Sequence, residues 1–276
     1  MLASTLMFAG MGASVKFAAG EAPNAVVVFG RNAFGLLALL PWLHSGPARG
    51  LATQRPWTHV LRTVSGLAAM ACFFYAIGRL RLADAVLLNF SLPLFIPVVA
   101  FVGLGERFPV RLWRVLGLGF VGLLLILKPT PGLFQPAAVV GLAAGMLGAV
   151  AQVTVRALTR TEPATRIVFY FGALGTAIAS VPAALAWKSP SATLWMALMA
   201  SGVFATLGQL LMTAAYARAP AGQVGPFLYA TVVFAALLDW SLWGSLPDGL
   251  SALGAVIVGV AGGLALRWMP HQSKRA

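Results

Sequence analysis

Apolar positions along this chain do not alternate with polar ones. They run on for about 20 residues at a time, and short clusters of Arg, Lys, Gly and Pro separate the runs. Ten such stretches can be read, at about 1–19, 23–43, 59–78, 83–103, 109–128, 136–158, 164–187, 191–215, 221–243 and 248–268. Each has about the length a helix needs to cross the hydrocarbon core of a bilayer. A membrane β-barrel would alternate at period two in segments of about ten residues, which is not the pattern here. Pro23, Pro109, Pro136, Pro163, Pro190 and Pro247 stand near the starts of stretches, where a missing N–H costs nothing. Lys188, Ser189 and Pro190 divide the seventh stretch from the eighth. The first stretch begins at Met1 without a basic leader or a clear cleavage site, so it reads as a span and not as a signal peptide. The prediction is an all-α integral membrane protein with ten transmembrane helices.

Composition narrows the class further. Of 276 residues, 60% are hydrophobic and 9% are charged. Soluble domains carry roughly 25% charged residues, and a chain so poor in them cannot cover a solvated surface. Ten spans would use about 200 residues and leave short loops with no room for a soluble domain. The single cysteine, Cys72, excludes an intramolecular disulfide and a cysteine metal cluster. No metal and no cofactor is expected.

The net charge of +13 would suit a nucleic-acid partner if it formed one basic face, but it is spread over short loops. With both termini inside, the inner loops and tail hold Arg49, Arg55, Arg62, Arg107, Arg111, Arg114, Arg156, Arg160, Arg166, Arg218, Arg267, Lys274 and Arg275. The outer side holds only Lys16, Arg79, Arg81, Lys128 and Lys188, and Arg31 falls within a span. The positive-inside rule then places the N- and C-termini in the cytoplasm. The expected partners are the lipid bilayer and a small-molecule substrate, not nucleic acid.

The chain also repeats itself. A shift of 140 residues lays Lys16 on Arg156, Pro23 on Pro163, Phe29 on Phe169 and Gly35 on Gly175. With a drifting shift, Tyr75-Ala76 meets Tyr216-Ala217, Pro109 meets Pro247, and Leu116-Gly117 meets Leu253-Gly254. This ordered set predicts two five-helix repeats, residues 1–130 and 131–276. An odd number of spans per repeat inverts the second relative to the first, an architecture of many secondary transporters.

A family resemblance rests on particular residues. Lys16 ends span 1, Pro23 opens span 2, and Phe29-Gly-Arg31-Asn-Ala-Phe-Gly35 lies within it. Span 4 carries Pro93 and ends in Gly105-Glu106. Span 5 runs Gly117-Leu-Gly119-Phe-Val-Gly122-Leu-Leu-Leu-Ile126. Over essentially the whole length the chain resembles the drug/metabolite transporter superfamily, in particular its ten-helix EamA-type members. Within them it looks most like amino-acid exporters of the YddG type. In the second half Gly244-Ser245 stands where Gly105-Glu106 would repeat, and Phe171 replaces Arg31. The resemblance implies a multi-pass carrier of small metabolites, often an exporter, in the bacterial inner membrane.

Candidate chemistry is sparse. Asp239 is the one acidic residue clearly inside a span, and Arg31 could lie at a similar depth. Intramembrane charges are costly and usually paired or turned to a cavity, so Arg31 is expected to be neutralised by Asp239, by Asp84 or by a substrate carboxylate. Pro93 and Pro97 fall near the middle of span 4, where proline frees the carbonyl four residues back. Asn89 lies one turn before Pro93, and Pro226 could bend span 9 in the same way near Phe227 and Tyr229. Gly141, Gly145, Gly148 and Gln152 form one stripe on span 6, a packing face or room for a substrate beside Gln152. A cavity with aromatic walls and a few polar contacts has candidates in Tyr75, Asn89, Phe90, Gln152, Gln209 and Tyr229. Spans 5 and 10 are glycine-rich and read as scaffold or as a homodimer contact.

Spacings such as HExxH, GxSxG and CxxC are absent from the sequence, so a membrane enzyme or a structural subunit is disfavoured. The reading is an exporter of neutral or aromatic amino acids, working by alternating access around a largely apolar cavity. The alternative is a multidrug or lipid-like metabolite carrier. His44, His59 and His271 lie at span ends or in the tail, and no carboxylate is expected at mid-membrane. Proton relays need such groups, so transport reads as facilitative.

Overall fold

The computed structural model describes residues 1–19, 21–45, 51–77, 79–80, 82–131, 135–244 and 248–267. Arg49, Arg81, Ser245, Pro247, His271, Lys274 and Arg275 lie outside the described residues. The described residues are helical, with no strand among them. In chain order the helices are α1 (Leu2–Ala19), α2 (Asn24–Ser45), α3 (Pro56–Ile77), α4 (Leu82–Asn89), α5 (Leu92–Leu104), α6 (Val110–Leu127), α7 (Pro136–Leu158), α8 (Ala164–Leu185), α9 (Ala192–Arg218), α10 (Ala221–Val224), α11 (Ala230–Trp243) and α12 (Gly249–Arg267). A 3-10 turn, Gly225–Tyr229, joins α10 to α11.

Eight of the stretches, with α4–α5 and α10–α11 each taken as one, are long and apolar enough to cross a membrane. The apolar runs at the two ends, Leu2–Ala18 and Gly249–Ala265, are shorter. At about 1.5 Å per residue, each covers roughly 26 Å.

The fourth and ninth spans, which carry Pro93, Pro97 and Pro226, are both interrupted. In the fourth, helical hydrogen bonding stops at Phe90-Ser91, and Pro93 sits in the first turn of α5, where proline is tolerated. The Ser91 hydroxyl donates to the Leu88 carbonyl at 2.6 Å, which satisfies an acceptor at the break. In the ninth, Pro226 lies in the tighter 3-10 turn. Pro97 stays inside α5 without ending it. Both broken spans finish on a glycine with positive φ, Gly105 at 67° and Gly244 at 70°, a left-handed cap that glycine adopts without strain.

Helix pairings come in matched couples. α1 packs along α9 and α3 along α7; α5 packs on α7 and α11 on α1; α2 pairs with α8 and α6 with α12. Exchanging the first five stretches for the last five maps each pairing onto another or onto itself. The α2–α9 and α8–α3 couple is unequal, because α2 lies closely along α9 while α8 touches α3 less.

Glycines set the closest approaches. The stripe on α7 is a packing face: Gly145 leaves no room for a Cβ, which would fall 2.5 Å from Ser91 Oγ, so the break between α4 and α5 rests on it. Gly122 of α6 and Gly254 of α12 bring two backbones together, and a Cβ on Gly122 would lie 2.7 Å from the Gly254 carbonyl oxygen. The sixth and twelfth helices are therefore scaffold for each other. An apolar groove of about 370 Å³ lies beside them, lined by residues of the 3-10 turn, α11 and α12.

Candidate functional site

Two arginines stand among the packed helices, Arg62 buried and Arg31 partly exposed. Arg62 of α3 is 4% exposed. It donates to Gln209 Oε1 of α9 at 3.2 Å, and its guanidinium carbon lies 4.1 Å from the centre of the Phe171 ring of α8. Arg31 of α2 faces a small cavity that Asn32, Gly35, Phe171, Gly172, Thr206 and Gln209 also line. The two guanidiniums are within electrostatic range of each other. The cavity measures about 20 Å³, room for about one water.

Among the described residues neither arginine has a carboxylate partner. Asp239 pairs instead with Lys16 of α1, whose ammonium also sits 4.1 Å over the Trp243 ring. Asp84 accepts from Thr130, with the backbone N–H at 2.9 Å. The anticipated neutralisation of Arg31 by Asp239 or Asp84 is therefore not what the structure has. The Nε atoms of Arg31 and Arg62 are both buried without a hydrogen-bond partner, a costly state for a charged donor.

Ion pairs outside this centre tie helices of the two halves. On the side of the α5 terminus, Glu106 accepts from Arg156 Nε of α7 at 3.0 Å, from Arg160 at 3.5 Å and from the Ala221 N–H of α10 at 3.0 Å. Arg156 also donates to the Tyr216 carbonyl at 2.7 Å. On the opposite side, Lys16–Asp239 joins α1 to α11.

Nearby, Glu162 accepts from Thr53 at 2.6 Å and from Arg166 at 2.8 Å. Burial alone would raise its carboxyl pKa. The hydrogen bonds from Thr53 and Arg166, and the charges of Arg166 and His59, outweigh burial and hold it below the usual carboxylate value. A depressed carboxylate stabilises the fold above its unfolded pKa, and that contribution is lost as pH falls through the folded value. Segment 51–55 is therefore expected to stay docked at neutral pH and to loosen in acid. The protection factors of the Thr53 and Arg55 amides should fall below about pH 4 in the wild type, with no such step in Glu162→Gln. Protection that stays constant through this range in the wild type would contradict this role.

Comparison with known proteins fits a chain built in two similar halves. The model of the EamA-like transporter family matches it twice, over residues 1–128 and 135–266. The chain belongs to the EamA-like transporter family. Among its relatives, the pseudopaline exporter CntI of Pseudomonas aeruginosa is 35% identical over 265 residues, covering 94% of this chain and 91% of that protein. A riboflavin transporter of Vibrio cholerae is 26% identical, covering 100% of this chain and 94% of the relative. An S-adenosylmethionine uptake transporter of Rickettsia bellii is 29% identical, covering 84% and 80%. A solved structure with 20% identity and a TM-score of 0.80, covering 95% of this chain and 93% of its own, shares the fold. The chain is thus a multi-pass membrane protein of a small-metabolite transporter family. These three relatives carry the names of other cargoes, so the resemblance narrows to the family and not to YddG-type exporters.

In this EamA-family chain the anticipated site residues do not form one cluster. Arg31 and Gln209 meet at the central cavity, and the Gln152 Oε1 atom is buried without a partner. Phe90 and Tyr229 join the core between α6 and α12, where the Tyr229 ring packs on Gly119. Asn89 ends α4 at the break. Tyr75 is 44% exposed, and its ring lies 3.9 Å under the Arg79 guanidinium, as an interfacial anchor does. Its sequence match, Tyr216, is fully buried. The arginine that sequence reasoning missed is Arg62. It was counted with the inner-loop charges, although its position six residues into α3 was a usable signal.

Proposed function

We propose that this protein exports small amino-acid-like metabolites carrying a carboxylate. It does so across the bacterial inner membrane, by alternating access between two inverted five-helix repeats with both termini inside. The observation that carries the reading is the pair Arg31 and Arg62, each with a buried Nε that has no hydrogen-bond partner and, among the described residues, with no carboxylate beside it. It sits where α2 and α3 of the first half meet α8 and α9 of the second. Buried cations without carboxylates are retained where a ligand neutralises them.

The matched helix pairings support two interchangeable halves. Their inequality supports one closed state. The α2–α9 seam, where Gly35 and Gly202 leave no space for a side chain, closes the outer half, and the looser α3–α8 contact is the inner counterpart. A facilitative mode is supported because, among the described residues, no acid stands beside the arginines to relay protons.

The site departs from the largely apolar cavity expected for neutral or aromatic amino acids. It places net positive charge at the centre, so the bound amino-acid-like cargo is held by its carboxylate. The test is counterflow in proteoliposomes of purified protein, with labelled amino acids and organic acids and with or without pH and sodium gradients. Saturable exchange indifferent to both gradients is expected. No exchange above protein-free liposomes across zwitterions, monocarboxylates and dicarboxylates would overturn the reading.

A further inference from the structure

The centre of the molecule has a charge count that one ordinary amino acid does not meet. Arg31 and Arg62 come from different helices and converge on Gln209 and Phe171. The acidic residues placed by the structure are engaged elsewhere. Glu106 binds Arg156 and Arg160, Glu162 binds Arg166, and Asp239 and Asp248 bind Lys16 and Lys128. Asp84 binds Thr130, and Glu21 binds Ser191.

A zwitterion brings one carboxylate together with an ammonium that two guanidiniums repel. Its net charge of zero would leave the site at about +2, in surroundings where unbalanced charge costs several kcal/mol per ion. Each guanidinium offers a planar fork suited to one carboxylate. On Arg62 one terminal nitrogen is spent on Gln209 and one face on Phe171. A single carboxylate would have to satisfy Arg31 across what remains.

We infer that the transported metabolite carries at least two carboxylates, one held by Arg31 and the other by Arg62, with Gln209 aligning the second fork and Phe171 packing on the carbon chain between them. This rests on the transporter reading above and names the cargo class of the same site.

The test uses probes that differ by one acidic group: glutarate and glutamate against glutamine and norvaline, at matched ionic strength. Binding is read as the thermal shift of purified full-length protein, and transport as counterflow in proteoliposomes. Glutamate and glutarate are expected to half-saturate the shift at concentrations at least about tenfold below glutamine, the size of one charge-assisted contact. Arg31→Gln is expected to reduce that preference to less than about threefold. Arg31→Lys should retain part of the preference, which shows that charge and not packing is read.

Equal binding of glutamine and glutamate, or a preference untouched by Arg31→Gln, would overturn the inference, as would no shift with either dicarboxylate. Exchange of neutral amino acids without dicarboxylate preference would leave the transporter reading standing and remove this one. Dicarboxylate binding without exchange would leave a two-carboxylate binding site standing but remove the transporter reading, and with it the claim that this ligand is the cargo.

Discussion

Arg62→Gln is expected to abolish transport, by at least about 100-fold, while leaving the protein as stable as the wild type or more so. The two halves of that expectation come from the same physics. A buried guanidinium without a carboxylate partner pays its desolvation penalty and recovers little of it in the empty protein. Removing the charge relieves that penalty, and the amide that replaces it still makes neutral hydrogen bonds. In the loaded protein the same charge makes hydrogen bonds to an anion, worth about 1.5–3 kcal/mol each, and two of them account for the loss. An arginine kept for structure would behave the other way, and its removal would lower the melting temperature. Arg62→Lys keeps the charge and loses the fork, so it should fall between the two. Transport and thermal unfolding measured on the same preparations check this. A variant that melts several degrees lower and transports normally would contradict the role given to Arg62.

The second large effect concerns folding. Gly122→Leu is expected to destabilise the protein by about 3 kcal/mol, at the upper end of what overpacking costs. The obstacle is backbone. A Cβ at Gly122 meets the Gly254 carbonyl oxygen at 2.7 Å and the Val258 nitrogen at 3.1 Å, and one at Gly254 meets the Gly122 carbonyl oxygen at 2.5 Å. Neither helix can yield by turning a side chain aside. Gly117 lies on the same helix with nothing within 4 Å of its added Cβ, so Gly117→Leu should be nearly neutral. Thermal unfolding in detergent compares the two. Equal melting temperatures for Gly122→Leu and Gly117→Leu would contradict the α6–α12 scaffold.

Much of the architecture was legible because membrane helices are written in long apolar runs with few ambiguities. The ends of α7, α8 and α11 fall within a few residues of the stretches read from sequence. Pro93 and Pro226 marked the two interrupted spans for a local reason, the lost N–H. The unwinding just before Pro93 and the 3-10 geometry at Pro226 depend on what packs there, in particular Gly145 beneath Ser91.

The site was half legible. Arg31 stood out as a charge inside a span, and Gln209 as a polar residue on an apolar helix. Arg62 was hidden by its place near the start of α3, where an arginine usually reaches the interface. Its inward direction is set by tertiary contacts with Gln209 and Phe171 that no local pattern encodes. The pairing of Asp239 was misjudged for a similar reason. Depth along two helices placed it level with Arg31, but rotation of α11 turns it to Lys16 and leaves it about two-fifths exposed. Phe90 and Tyr229 look like cavity walls in sequence, because an aromatic beside a proline reads the same whether it lines a cavity or fills a core.

The most direct measurement is a structure of the protein bound to a metabolite that shows saturable counterflow. The account predicts carboxylate oxygens at about 2.7–2.9 Å from the guanidinium nitrogens of Arg31 and Arg62, between α2, α3, α8 and α9. A ligand lodged instead in the apolar groove beside α11 and α12, with both arginines unengaged, would contradict it.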